Sequence, residues 1–231
     1  LINTTLQNLL KKQNFFWGPD PSSQDYSTIG GNVANNSAGP RAIKYGTPRD
    51  NILGLEFISG TGELHKTGVK TSKGVVGLDL TRLLTGSEGV LGIITQATLK
   101  ILPLNDSTAT IEVTFNEVSE ATDTIISLMT QPITPSKLEF IDAEAIKLIN
   151  TIKIDHYDKK IKAAIILEID GEKEYIDLML KNIIKVIEIN RFNTISVASN
   201  LKDITALWSA RKSLSPALRV IGSHKINEDI A

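Results

Sequence analysis

The sequence predicts an α+β protein in two parts, and three observations carry that prediction. Glycine is crowded into the first part, in Asp20–Gly46 and again in Leu83–Thr95. Beyond Leu104-Asn105-Asp106 it almost vanishes. In that second part strand-like and helix-like segments alternate as β-α-β followed by β-α-β, the pattern of a ferredoxin-like α+β layer. The boundary is placed near Asn105, giving parts 1–105 and 106–231.

In the first part, Leu6–Lys12 reads as the end of an amphipathic helix, and FFWGPDPSS as a proline-punctuated loop. NILGLEFISGTGELHKTG reads as a hairpin, with a strand near Ile52–Ser59, a turn at Gly60-Thr61-Gly62 and a return strand. DLTRLLTGSEG predicts a short helix running into a glycine turn. GIITQATLKILPL alternates as one long strand, Ile93–Leu102, closed by Pro103. In the second part the expected strands are Thr110–Phe115, Lys137–Asp142, Ala163–Ile169 and Thr194–Ala198. The expected helices are Glu117–Met129, Ala143–Asn150 and Glu172–Glu188, with Asn116 and Gly171 as turn or cap residues. A last helix, Asp203–Lys212, carries Leu207 and Trp208 and ends before Pro216; SHKINED then reads as solvated surface.

Composition narrows the function. The 231 residues are 41% hydrophobic and 22% charged, which is globular composition with ample material for a core. Net charge is −1 with no long block of one sign, so neither a nucleic acid nor a membrane surface is an expected partner. Cysteine is absent, which removes disulfides, thiolate metal sites and thiol catalysis. No apolar run approaches the ~18 residues of a membrane-spanning helix, and the N-terminus lacks a signal-peptide pattern. A soluble protein of the cytoplasm is expected. The chain opens within a helix-like stretch and stops at KINEDIA, so it reads as a piece of something longer.

The glycine segments hold the candidate binding residues. In STIGGNVANNSAG, Thr28, Gly30, Gly31 and Asn32 would offer N–H and hydroxyl groups to a pyrophosphate or a heteroaromatic ring, since glycine lets backbone approach a ligand closely. A surface loop with a glycine helix cap at Gly39 would explain the same residues without a ligand. The spacing is neither the dinucleotide fingerprint nor the P-loop, which disfavours a nicotinamide-binding Rossmann unit. In GSEGVLGII, Gly86, Ser87 and Gly89 would approach a cofactor, Glu88 would accept hydrogen bonds, and Ile93 and Ile94 would offer strand backbone. A tight turn is the plain alternative. His65 and His156 read as surface histidines. His224, although flanked by Lys225, Glu228 and Asp229, lacks the spacing of a metal site, so no metal is expected. Arg211, Ser215 and Lys225 could converge on an anion, arginine offering a fork that matches a carboxylate. Helix-surface cations are the competing explanation.

Taken in order, PDPSSQDYSTIGGNVANNSAGPRAIKYGTPRDNILGLEFI, LLTGSEGVLGIITQATLKILP, LWSARKSL and KINEDIA resemble the FAD-linked oxidase family, over almost the whole chain. The nearest branch is the glycolate oxidase flavin subunit and the D-2-hydroxy acid (D-lactate, D-2-hydroxyglutarate) dehydrogenases. The resemblance implies the second half of a vanillyl-alcohol-oxidase type FAD-binding domain, followed by an incomplete ferredoxin-like cap domain on the substrate side. It implies FAD as cofactor, held by Thr28, Gly30, Gly31, Asn32, Asn36, Gly39, Gly46, Gly86, Ser87, Glu88, Gly89 and Ile94. It implies a carboxylate clamp of Arg211, Ser215 and Lys225; the family often has Thr where Ser215 stands.

The implied activity is oxidation of a small 2-hydroxy acid, of glycolate or D-lactate type, to the 2-oxo acid. Electrons would pass to a protein or quinone acceptor, and the protein would lie in the cytoplasm or peripheral to the inner membrane. A homodimer and an assembly with partner subunits both stay open. The family pattern also places another glycine-rich subdomain before Leu1, and an H-x-G-D-G-N-x-H block with metal-site histidines and the base after Ala231. Two alternatives stand beside this reading. One is a flavin oxidase of an alcohol without a carboxyl group; the other is a split-gene remnant that binds no flavin.

Overall fold

A computed structural model describes residues 1–71, 73–153 and 156–221. The chain divides into two compact units, Leu1–Asn105 and Asp106–Ala231.

The first unit runs α1 (Asn3–Lys11), β1 (Phe15–Trp17), α2 (Ile29–Ala34), α3 (Ala42–Tyr45), a 3₁₀ turn Pro48–Asp50, β2 (Ile52–Ile58), β3 (Leu64–Gly68), α4 (Leu80–Leu84), β4 (Ile93–Leu99) and β5 (Ile101–Pro103). Strands β3-β2-β4 form one antiparallel sheet, and β1 pairs with β5 in another. Trp17, Ile29, Val33, Ile52, Leu55 and Leu84 form the core, so each short element contributes an apolar anchor.

Three features differ from the sequence expectations. FFW is strand β1 rather than loop, because Phe15–Trp17 pair with Ile101–Pro103 across most of the unit, a partner that local pattern cannot reveal. The Ile93–Leu102 run is two strands: the Lys100 N–H leaves the ladder for the Asn51 carbonyl (2.9 Å), and Pro103 lies inside β5. Gly39 caps no helix; α2 ends at Asn35, and the next residue, Asn36, takes the left-handed turn (φ 50°). Gly39 serves close approach instead, since a Cβ there would lie 2.0 Å from the Asp20 carbonyl oxygen.

The second unit runs β6 (Ser107–Phe115), α5 (Val118–Met129), β7 (Lys137–Asp142), α6 (Ala143–Ile152), β8 (Ala163–Gly171), α7 (Lys173–Glu188), β9 (Thr194–Ala198) and α8 (Leu201–Ile221). The sheet order is β7-β8-β6-β9, antiparallel throughout, which is the ferredoxin-like arrangement with α6 added. Strand β6 alternates, so Ile111, Val113 and Phe115 pack against α5 and α7 while Thr110, Glu112 and Thr114 share the other face. Central β8 is apolar along most of its length because both its faces are covered.

Caps fall one residue later than expected. Glu117 forms a capping box with Glu120, and Glu172 precedes α7. Helix α8 continues through Pro216 rather than ending at Lys212. Ile204, Trp208 and Leu214 anchor it on the core beneath α6, and that packing outweighs the backbone N–H that proline lacks. Ile111 is fully buried between sheet and helices, so Ile111→Ala should destabilise the protein by about 3 kcal/mol. Urea unfolding followed by circular dichroism checks this.

Candidate functional site

Helix α2 is short and two-faced. Ile29 and Val33 go to the core, while Gly30, Gly31, Ala34 and Asn35 line an open hollow of about 300 Å³. The split follows helical spacing, since residues four apart share a face. Thr28 caps the helix: its hydroxyl accepts from the Gly31 N–H (3.1 Å), and the Thr28 carbonyl takes the Asn32 N–H (2.9 Å). Those two amides are therefore engaged within the helix. Gly30 presents bare backbone, and a Cβ there would meet nothing within 4 Å.

The second glycine cluster reaches the same hollow. Leu84 anchors the end of α4 in the core, after which Gly86 (φ 84°), Glu88 (φ 53°) and Gly89 (φ 82°) turn the chain left-handed. Two backbone hydrogen bonds fasten that turn to the α2 end: Gly86 N–H to the Val33 carbonyl and Glu88 N–H to the Ala34 carbonyl, both 2.9 Å. Glu88, Gly89, Gly92, Ile93 and Ile94 then complete the hollow's lining. A Cβ on Gly86 would lie 3.0 Å from Arg49 Nη2 and from Asn36 Cβ. Arg49 tightens the junction further, donating from Nη2 to the Thr85 carbonyl (3.1 Å) and from its backbone N–H to Asn36 Oδ1 (2.9 Å).

The structure thus brings Gly30, Gly31, Glu88, Gly89 and Ile94 to one place, with Gly86 and Asn36 supporting it from behind. Asn32 turns into the core, 1% exposed, and its Nδ2 lacks a partner among the described residues; Ser87 Oγ is likewise buried and unpartnered. Gly39 and Gly46 do not line the hollow. Gly46 (φ 76°) ends α3 close against Asp50. A larger polar hollow of about 360 Å³ lies elsewhere in this unit, where Arg82 is paired with Asp50 (3.1 Å) and Asp79 (3.5 Å).

In the second unit Arg211 stands on α8, its Nε donating to the Glu139 carboxylate of β7 at 2.8 Å. The backbone places Ser215 one helical turn on from Arg211; its side chain, and all of Lys225 and His224, lie outside the described residues. The sheet face below α6 and α8 carries further charge. Lys137 pairs with buried Glu168 (2.9 Å) and lies 5.1 Å from the Trp208 ring. Tyr157 donates to Glu112 (2.8 Å). Burial, and then the Glu112 carboxylate, push the Tyr157 phenol far above its ordinary value, so it donates a hydrogen bond and accepts no proton near neutral pH. His65 is exposed beside Phe57 and Glu63, and His156 stacks edge-on against Tyr157. Among the described residues no cluster of three or more His, Cys, Asp or Glu could hold a metal ion.

Sequence reasoning missed Lys137, Glu139 and Glu168. The available signal was the charge in KLEFID and in IILEID, set among the apolar residues of two expected strands.

Comparison with known proteins decides the family. Residues 2–68 match the family model of the FAD binding domain, and residues 104–231, more than half the chain, match that of the C-terminal domain of FAD linked oxidases. The chain belongs to the FAD-linked oxidases. It is 33% identical over 229 residues to glycolate oxidase subunit GlcD of Bacillus subtilis, covering 99% of this chain and 49% of that one. It is 36% identical over 146 residues to D-lactate dehydrogenase of Anaerostipes hadrus, covering 63% of this chain and 30% of that one. A solved structure of alkyldihydroxyacetonephosphate synthase shares the fold, with TM-score 0.74 and 22% identity over 96% of this chain and 42% of that one. The chain spans about half or less of these relatives' lengths. No helix among the described residues of this FAD-linked oxidase is long and apolar enough to cross a membrane.

The open hollow of this FAD-linked oxidase leaves room for a bound group at its glycines: a Cβ on Gly30 or Gly89 would meet nothing within 4 Å. Asn35, Glu88, Ile93 and Ile94 bring the larger side chains of its lining. The junction behind it is the tighter part. Gly86→Ala should cost about 2 kcal/mol through its left-handed backbone and the contact with Asn36. Urea unfolding followed by tryptophan fluorescence measures that loss.

Proposed function

We propose that this chain forms part of an FAD-dependent enzyme that oxidises a small 2-hydroxy acid, of glycolate or D-lactate type, to the 2-oxo acid. The observation that carries the reading is the convergence of the two glycine clusters on one open hollow. Gly30, Gly31, Glu88, Gly89 and Ile94 would hold the flavin there, with Gly86, Asn36 and Thr28 keeping that backbone in place. The chemistry supplied by FAD when bound is acceptance of the hydride that leaves the α-carbon.

Arg211 is the residue we assign to the substrate carboxylate. A guanidinium fork holds both oxygens of a carboxylate, which fixes the direction in which the α-carbon is presented. Ser215, one turn along α8, and Lys225 complete the assigned clamp. Tyr157 is excluded as base by its raised pKa, and no other described residue is assigned that role. The same reading carries a protein or quinone as electron acceptor, and a location in the cytoplasm or peripheral to a membrane.

Two measurements test this. Gly30 has ordinary backbone and open space before it, so Gly30→Val should leave the thermal midpoint of the flavin-free protein within about 2 °C while abolishing the flavin absorption of the purified protein. A yellow Gly30→Val protein would remove the hollow from the flavin site. In the intact, flavin-loaded protein, Arg211→Ala should lower kcat/KM for 2-hydroxy acids by about a hundredfold or more. Oxidation of alcohols lacking the carboxyl group should be unaffected. Equal losses on both classes would favour the non-carboxylate oxidase.

A further inference from the structure

Helix α8 meets strand β7 through two matched contacts. Trp208 and Arg211, three residues apart, share a face of the helix. Lys137 and Glu139, two apart, share a face of the strand. The Trp208 ring lies 5.1 Å from Lys137 Nζ, and Arg211 Nε lies 2.8 Å from Glu139 Oε2. Lys137 is itself fixed, bonded to both oxygens of Glu168 at 2.9 and 3.0 Å, and Glu168 is 4% exposed. The residue registered beside Glu139 on β8 is Ile166, so the sheet offers no competing cation there. Glu139 is more enclosed than its partner, the side chains being 18% and 35% exposed.

The form of the contact is informative. Among the described residues Nε is the engaged donor of Arg211, and Nη1 and Nη2 have no hydrogen-bond partner. One carboxylate on Nε fixes the direction of the Nε–H bond and, among the described residues, leaves the Nη1–Nη2 edge of the fork unengaged.

We propose that Glu139 is the positioning residue of the carboxylate clamp, orienting Arg211 through Nε so that the Nη1–Nη2 edge meets the substrate carboxylate. This rests on the assignment of Arg211 made above. Charge and orientation predict opposite signs. If only the charge of Glu139 mattered, removing it would free Arg211 and tighten binding of an anionic substrate. If orientation matters, removing the acceptor loosens binding.

The test uses the intact, flavin-loaded protein, with steady-state oxidation of a 2-hydroxy acid by a dye acceptor. Glu139→Met keeps the length of the side chain and loses the acceptor; KM should rise about tenfold with kcat changing less than about threefold. Glu139→Gln keeps an acceptor oxygen and loses the charge, so its KM should lie between those of the wild type and Glu139→Met. Glu139→Met combined with Arg211→Ala should match Arg211→Ala alone. A fall in KM in either single variant, or a Glu139→Met KM within twofold of wild type, overturns the proposal. Should Glu139→Met lose its flavin, Glu139→Asp is read in its place; a rise in KM supports the proposal and an unchanged KM overturns it. If Arg211→Ala itself leaves KM unchanged, the clamp assignment fails. If Arg211→Ala raises KM and Glu139→Met does not, the positioning role alone fails.

Discussion

Two backbone hydrogen bonds, from the Gly86 and Glu88 amides to the Val33 and Ala34 carbonyls, are the constraint on which the candidate site depends. They tie the turn after α4 to the end of α2. Beside these bonds the chain turns left-handed at Gly86, Glu88 and Gly89, and glycine makes that inexpensive at two of the three positions. Glu88 holds the same conformation with a side chain, a strained choice of the kind that clusters at functional sites. The core residues Val33, whose carbonyl accepts one of the two bonds, and Leu84, two residues before Gly86, then act as abutments.

The second unit solves a different problem. Its sheet has one ordinary apolar face, packed by α5 and α7, and one mixed face on which Glu112, Lys137, Glu139 and Glu168 lie beneath helices. Enclosing charge is costly unless it is paired. Here each acid has a partner: Tyr157 for Glu112, Arg211 for Glu139 and Lys137 for Glu168. The face is therefore a set of matched contacts that fixes where α8 lies, and with it the Arg211 fork.

The sequence made much of this legible, and the failures have physical causes. The order of strand-like and helix-like segments, with strands expected at Thr110–Phe115 and Ala163–Ile169, showed the ferredoxin-like layer because buried faces leave a periodic trace. The pairing of Phe15–Trp17 with Ile101–Pro103 left none, since its partners are remote in sequence. The glycine clusters drew attention to the hollow, but composition could not separate Gly30, which faces open space, from Gly39, which makes room for the Asp20 backbone. Lys137 and Glu139 escaped notice because charge alternating along a strand has the pattern of a solvated face; only the position of α8 shows that they are covered. Arg211 was singled out, whereas the carboxylate that orients it could be found only in three dimensions.

The central claim is that backbone from two distant glycine segments surrounds one flavin. Amide hydrogen exchange of the intact protein, with and without FAD, measures that most directly. The account predicts slower exchange on FAD addition in both segments together, at Gly30–Asn35 and at Glu88–Ile94. Protection confined to one segment, or falling wholly elsewhere, would contradict it.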